Sequence, residues 1–175
     1  MSWEEDCPFC ALFEEGASPC WRQLFGSSEE SEVLFKDGEF TVVLDTAPLV
    51  PGHLLIVPYR HTRSLAQLKA RGGTECTEVK KRVSAILTVA YASPTFLEHG
   101  SESFSRNAGA CVDHAHLHAI PGRFRLRDAL RRDFAEVTEF ASQSQALERF
   151  QNEPYLYCEE PTGEVYGAIA PMCAT

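Results

Sequence analysis

Three histidines at alternate positions, His114, His116 and His118, constrain this chain more than any other feature. Ala115, Leu117 and Ala119 fill the gaps, and Pro121-Gly122 closes the segment. On a β-strand, alternate residues share one face and lie roughly 6.5–7 Å apart. Residues 111–120 are therefore predicted as a strand with imidazoles on one face and small apolar groups, suited to packing on a helix, on the other. Burying three polar rings side by side without partners is costly, so a row of this density points to a site rather than to packing. Two chemistries suit it. Alternate histidines can converge on one zinc through neutral ring nitrogens. Alternatively, the central ring can act as a nucleophile while its neighbours orient it and stabilise charge on phosphate oxygens. The spacing leaves both open.

The rest of the chain reads as α+β. Residues 33–36 and 40–45 form a predicted hairpin across Asp37-Gly38, a pair that favours the positive φ of a tight turn. Pro51-Gly52 precedes residues 53–58, an apolar run read as a strand buried on both faces. A helical turn over 64–68 and a Gly72-Gly73 break follow. Thr74 is then predicted to cap a longer helix carrying Val79, Val83, Ile86, Leu87 and Ala90, with Pro94 just beyond its end. Residues 95–98 suit another strand, 126–140 a helix, and 155–158 with 165–169 a final hairpin across Pro161-Thr162-Gly163. The sum is a mostly antiparallel sheet of five or more strands with a long helix packed on it. At 175 residues, 44% hydrophobic and 23% charged, the chain suits one globular domain over 1–175.

Charge and cysteine usage narrow the function. A net charge of −9 and a pI near 5.1 argue against non-specific nucleic-acid binding. The acidic start over 1–6 lacks the basic-then-apolar pattern of an export signal, and no apolar run is long enough to span a bilayer. A cytoplasmic protein is expected. Arg123, Arg125, Arg127, Arg131 and Arg132 crowd one stretch, either as a solvated face balancing the acidic first third or with one or two of them facing phosphate. Seven cysteines, an odd count without an export signal, favour free or metal-bound thiols over a disulfide framework. Cys7-Pro8-Phe9-Cys10 has C-x-x-C spacing, but two cysteines alone do not fix a metal.

Three blocks, taken together and in order, resemble the histidine-triad (HIT) family: Cys7-x-x-Cys10, Pro51-Gly52-His53 through His61, and His114-x-His116-x-His118 with Pro121. They cover residues 7–121; residues 122–175 extend past the match with no role assigned. The resemblance implies a HIT-like fold in which His116 attacks the α-phosphorus of a nucleotide to give a nucleotidyl-histidine. It makes His118 a donor to the phosphate or the leaving group. Asp45 matches the residue that holds ribose hydroxyls in relatives, a turn cap before Pro48 being the alternative. The resemblance further implies a structural zinc on Cys7, Cys10, His61 and His114, a set that leaves no open position for water. His53 is read as a structural hydrogen-bonding residue at the start of its strand.

The implied activity is hydrolysis of a nucleotidyl conjugate, of phosphoramidate or dinucleoside polyphosphate type. A nucleotidyltransferase using the same intermediate, or an open three-histidine zinc enzyme, are the alternatives. Family members are commonly homodimers. Two departures bear on substrate contacts. Glu98-His99-Gly100 stands where many relatives have Asn-x-Gly, and Gly109-Ala110-Cys111 where they have Gly-Gln-Ser or Gly-Gln-Thr. Ala110 cannot donate and the Cys111 thiol is a weak donor. Backbone amides, His118, Arg106, Asn107 or a residue of the Arg-rich segment are left to serve the phosphate.

Overall fold

The Asp37-Gly38 turn forms as predicted, joining β1 (Val33–Asp37) to β2 (Phe40–Leu44) with Asp37 opposite Phe40 and Gly38 at φ 57°. It starts an eight-stranded sheet in the order β1-β2-β3-β5-β4-β7-β8-β6, in which every pair is antiparallel. The remaining strands are β3 (Leu54–Pro58), β4 (Pro94–Gly100), β5 (Leu117–Pro121), β6 (Thr138–Phe140), β7 (Tyr155–Glu159) and β8 (Val165–Ile169). This computed structural model describes residues 7–26, 31–102 and 112–170.

One face of the sheet carries the main core. α3 (Leu65–Ala70), α4 (Thr77–Ala90) and α6 (Gln143–Arg149) pack there, burying Leu68, Val83, Leu87 and Leu147 against Val42, Ile56, Leu117 and Tyr157. The other face is covered in two places. α1 (Pro8–Glu15) lays Phe9 and Leu12 over Val43, Leu55 and Val57 of β2 and β3. α5 (Leu126–Asp133) lays Leu130 over Cys158 and Tyr166 of β7 and β8. In the strand order β5 and β4 fall between these covers, and β5 carries His118.

Several local outcomes differ from the sequence reading. The strand predicted over 111–120 shortens to β5. Residues 112–116 lead into it irregularly, with the Ala115 N–H bonded to Thr62 O and the His114 ring drawn to Pro58 O. The helix predicted over 126–140 ends at Asp133. Phe134 turns extended (φ −121°, ψ 142°), and the β-branched and aromatic residues that follow pair as β6. Thr74 does not cap α4, which begins after Cys76; the Thr74 N–H donates to Glu39 Oε2 instead. The N-terminal segment forms α1 and α2 (Pro19–Phe25), each opened by a proline in its first turn, with Ser18 Oγ capping α2 by accepting from Trp21 N.

Residues 122–170 extend the sheet. β7 pairs with β4 over Phe96–Gly100, so both edges of β4 are hydrogen-bonded within the chain. Gly100 is required at this junction, because a Cβ there would overlap the Tyr155 ring. Tyr155 OH in turn donates to Glu98 Oε2 at 2.5 Å, and the Leu65 N–H donates to Glu98 Oε1 at 2.7 Å. Among the described residues, no helix is long and apolar enough to cross a membrane.

Candidate functional site

Strand parity assembles the site. Leu54 and Ile56 of β3, like Leu117 and Ala119 of β5, belong to the helix-side core. The alternate residues therefore point to the other face: Leu55 from β3 with His53 just before it, His118 from β5, and Val43 from β2 with Asp45 just after it. Leu55 stands opposite both His118 and Val43. Asp45, just past the end of β2, is joined to His53 by the Asp45 N–H to His53 O bond of 3.3 Å. The result is an open cleft of about 410 Å³, with Asp45, His53, His116 and His118 among its lining residues and apolar walls that include Leu55 and Val112.

His116 is half-buried, its ring 5.5 Å from that of Phe9 and 4.9 Å from that of His118. Its Nδ1 lies 2.7 Å from His114 O. A carbonyl only accepts, so Nδ1 carries the hydrogen and Nε2 keeps a free lone pair. Burial holds the His116 pKa below its usual range, with the His114 carbonyl bond opposing and nearby histidines adding to the shift. The ring is thus neutral near pH 7, the form a nucleophile requires.

His118 forms the next link. Its Nδ1 lies 3.0 Å from Nε2 of His53, which is only 2% exposed. His53 Nδ1 lies 3.2 Å from Asp45 Oδ2, and the Leu49 N–H approaches the same nitrogen at 3.3 Å. Burial, with the nearby His116, His53 and His99 rings adding to the shift, pushes the His118 pKa down to about 2. Burial also lowers that of His53, against the raising effect of Asp45. His53 thus has the hydrogen bond expected of it, and it also belongs to the cleft. Its parity with Leu55, which pairs with His118, was the available signal. Asp45 shows both readings given to it. Its Oδ1 accepts from Ala47 N at 2.8 Å as a turn cap, and it lines the cleft with lone pairs left to accept a hydroxyl.

A second cluster lies on the other side of His116. One ligand atom each from Cys7, Cys10, His61 and His114 lies within 4.8 Å of all the others. Cys10 Sγ is 3.2 Å from His61 Nδ1, and His114 Nδ1 is 3.4 Å from Cys7 Sγ and 3.7 Å from Cys10 Sγ. A tetrahedral zinc with ordinary Zn–S and Zn–N bonds has S···N edges of about 3.5 Å, so the donor set fits that ion. His114 Nε2 donates to Pro58 O at 2.8 Å, which leaves its Nδ1 lone pair facing the cysteines. Burial lowers the His114 pKa to about 4 and keeps the ring neutral, as a ligand must be. The three histidines of the row therefore diverge: His114 turns to the cysteines, and His116 and His118 to the cleft.

The departures from the resemblance sort by face. Glu98 is buried on the helix side, 1% exposed and hydrogen-bonded to Leu65 N and Tyr155 OH, so its side chain does not reach the cleft. His99 takes the cleft side, its ring 6.2 Å from that of His118. Asn107, Cys111, Arg106 and Ala110 lie outside the described residues. Arg123, Arg127 and Arg131 pair with Glu139, Glu160 and Glu164, which favours a solvated, charge-balanced face.

The family model for the HIT domain matches residues 27–125. Adenylylsulfatase HINT3 of Arabidopsis thaliana is 29% identical over 151 residues, 80% of this chain and 66% of that protein. An uncharacterized HIT-like protein of Mycobacterium tuberculosis is 29% identical over 118 residues, 67% of this chain and 72% of its own length. Among solved structures, a Zn-bound histidine triad family protein from Mycobacterium smegmatis superposes with a TM-score of 0.50. It is 23% identical and covers 70% of this chain and 78% of its own.

Proposed function

The chain belongs to the HIT domain family, and on that premise we propose that it is a hydrolase of nucleotidyl conjugates, of phosphoramidate or dinucleoside polyphosphate type. His116 Nε2 attacks the α-phosphorus, forming a P–N bond as the bond to the leaving group breaks. His118 stabilises the leaving group with a hydrogen bond from its Nε2–H, and the proton the leaving group takes up comes from water. Water then attacks the same phosphorus and loses a proton to solvent as the P–N bond breaks, which frees neutral His116 and leaves a nucleoside monophosphate. Asp45 receives the ribose hydroxyls, and Asn107, Cys111 and local backbone amides serve the phosphate.

One observation carries this reading: the 2.7 Å bond between His116 Nδ1 and His114 O, which fixes the tautomer and aims an unprotonated nitrogen at the cleft. Similarity to an adenylylsulfatase supports the reaction class. The alternative of one zinc gathering all three histidines is disfavoured by the divergence of His114 from His116 and His118.

We assign the zinc to Cys7, Cys10, His61 and His114. When bound, it supplies structural cross-linking only, since four protein ligands close its coordination shell. The cysteines and His61 hold the N-terminal knuckle, and the His114 backbone presents the carbonyl that orients His116. The Zn-bound mycobacterial structure supports the choice of ion. A cytoplasmic location and a homodimer belong to the same proposal. Among the described residues, β1 and β6 form the edges of the sheet, and the solution mass tests the dimer.

Hydrolysis and transfer separate in one assay. The purified chain is incubated with an adenosine phosphoramidate, a dinucleoside polyphosphate and a panel of phosphate and alcohol acceptors. Free nucleoside monophosphate as the sole nucleotidyl product supports the hydrolase, and nucleotidylated acceptor favours the transferase. No turnover of any conjugate contradicts both.

A further inference from the structure

Glu32 stands at the end of the cleft away from the histidines. It is 2% exposed, lines the cavity, and its carbonyl accepts from Leu44 N at 2.8 Å. Oε1 accepts from Ser18 N at 2.8 Å, which ties the start of α2 to the sheet. Oε2 is buried and, among the described residues, has no hydrogen-bond partner. An unsatisfied buried carboxylate oxygen is costly, more so than a neutral acceptor. Docking α2 needs only Oε1, so the tie to Ser18 does not account for Oε2.

Distance along the sheet says what could reach it. His118 is opposite Leu55, Leu55 opposite Val43, and Val43 opposite Val33, the neighbour of Glu32. Three strand spacings separate His118 from Val33, about 14 Å. That is the scale of a nucleoside monophosphate with its phosphate at one end and the far edge of its base at the other. Asp45 lies between, and Val43, Leu49 and Leu55 supply apolar walls for the base.

We propose that Glu32 is a specificity-determining residue that selects nucleobases bearing an exocyclic amine, which donates a hydrogen bond to Oε2. This rests on the nucleotide reading of the cleft. A carboxylate only accepts. It matches the amine of guanine, adenine or cytosine, and it repels a base that presents a carbonyl oxygen at that position. A site built around such a bond discriminates strongly, because an amine-free analogue leaves the buried oxygen unpaired.

The test uses paired ligands that differ by the amine alone, titrated calorimetrically against the full chain. The pairs are guanosine with inosine 5′-monophosphate, and adenosine with purine riboside 5′-monophosphate. In at least one pair the amine-bearing nucleotide is expected to bind about ten- to a hundredfold more tightly, the range of a hydrogen bond to a charged group. Glu32→Gln keeps an acceptor for Ser18 N and puts an NH₂ in place of Oε2, and should bring that ratio within twofold. Glu32→Asp, which withdraws the carboxylate by one methylene, should reduce it as well and serves if the first variant fails to fold. Ratios within twofold for both wild-type pairs overturn the inference and leave the reaction untouched, as does a ratio that persists in the variants. Intact amine selectivity without a nucleotidyl-histidine overturns the reaction and leaves the inference standing. Failure to bind any monophosphate overturns both.

Discussion

His53 Nε2 and His118 Nδ1 lie 3.0 Å apart with one hydrogen between them. His118 is held neutral by burial, so its ability to donate from Nε2 depends on which partner carries that hydrogen. When His53 donates, the His118 hydrogen sits on Nε2 and faces the cleft; when His118 donates, Nε2 is a bare acceptor. His53 is thus the residue that sets the tautomer of His118. His53→Phe fills the same buried volume and removes this partner. Its kcat is expected to fall about 10²-fold or more, the scale of general acid–base assistance. The fall should be steepest on conjugates with poor leaving groups, which depend most on that hydrogen bond. Equal loss across good and poor leaving groups would show that His53 only packs.

His116→Ala removes the proposed nucleophile and no metal ligand. Turnover should drop by at least about 10³-fold, as when a covalent nucleophile is lost. Zinc content and the thermal unfolding midpoint should stay close to wild type. Loss of metal in this variant, measured by atomic absorption, would place His116 in the wrong cluster.

The candidate metal cluster gives the reciprocal pattern. Cys7→Ala and His61→Ala should each lose zinc and lower the unfolding midpoint by about 5 °C or more, because metal binding is linked to folding. His118→Ala should retain a full equivalent. Zinc retained in both ligand variants but lost from His118→Ala would reverse the assignment.

Part of this site was legible in the sequence, and the limits were physical. Alternation put Ala115, Leu117 and Ala119 in the core, where they are 2% exposed or less. It could not show that residues 112–116 leave the ladder, because the pull on His114 comes from Pro58 O and from cysteines more than 100 positions away. The same long-range logic hid His53, whose partner His118 is 65 residues distant. The hairpins at Asp37-Gly38 and Pro161-Thr162-Gly163 were readable because turn chemistry is local. The end of α5 was not, since the residues after Asp133 keep apolar spacing and are recruited to an edge strand by β8. Glu98 and His99 show parity working finely: adjacent residues, one satisfied in the core and one beside His118.

Glu98 also predicts a pH dependence. Full burial raises its pKa to about 7, against the lowering effect of its bonds from Tyr155 and Leu65. An acid whose pKa is raised on folding binds its proton more tightly in the native state. Stability is therefore greatest below the unfolded value, near 4.5, and declines as pH rises toward 7. The decline from this one group is roughly 3 kcal/mol at most. Glu98→Gln should flatten the stability profile between pH 4.5 and 7 in urea unfolding. A wild-type profile that rises from this group across that window contradicts the assignment.

The central claim is a covalent bond between phosphorus and one ring nitrogen. Wild-type protein mixed with a stoichiometric adenosine phosphoramidate, quenched within milliseconds and digested, should yield a peptide bearing a nucleotidyl group on His116, and His116→Ala should yield none. A nucleotidyl group found on another residue, or rapid product formation with no labelled peptide at any quench time, would contradict the account.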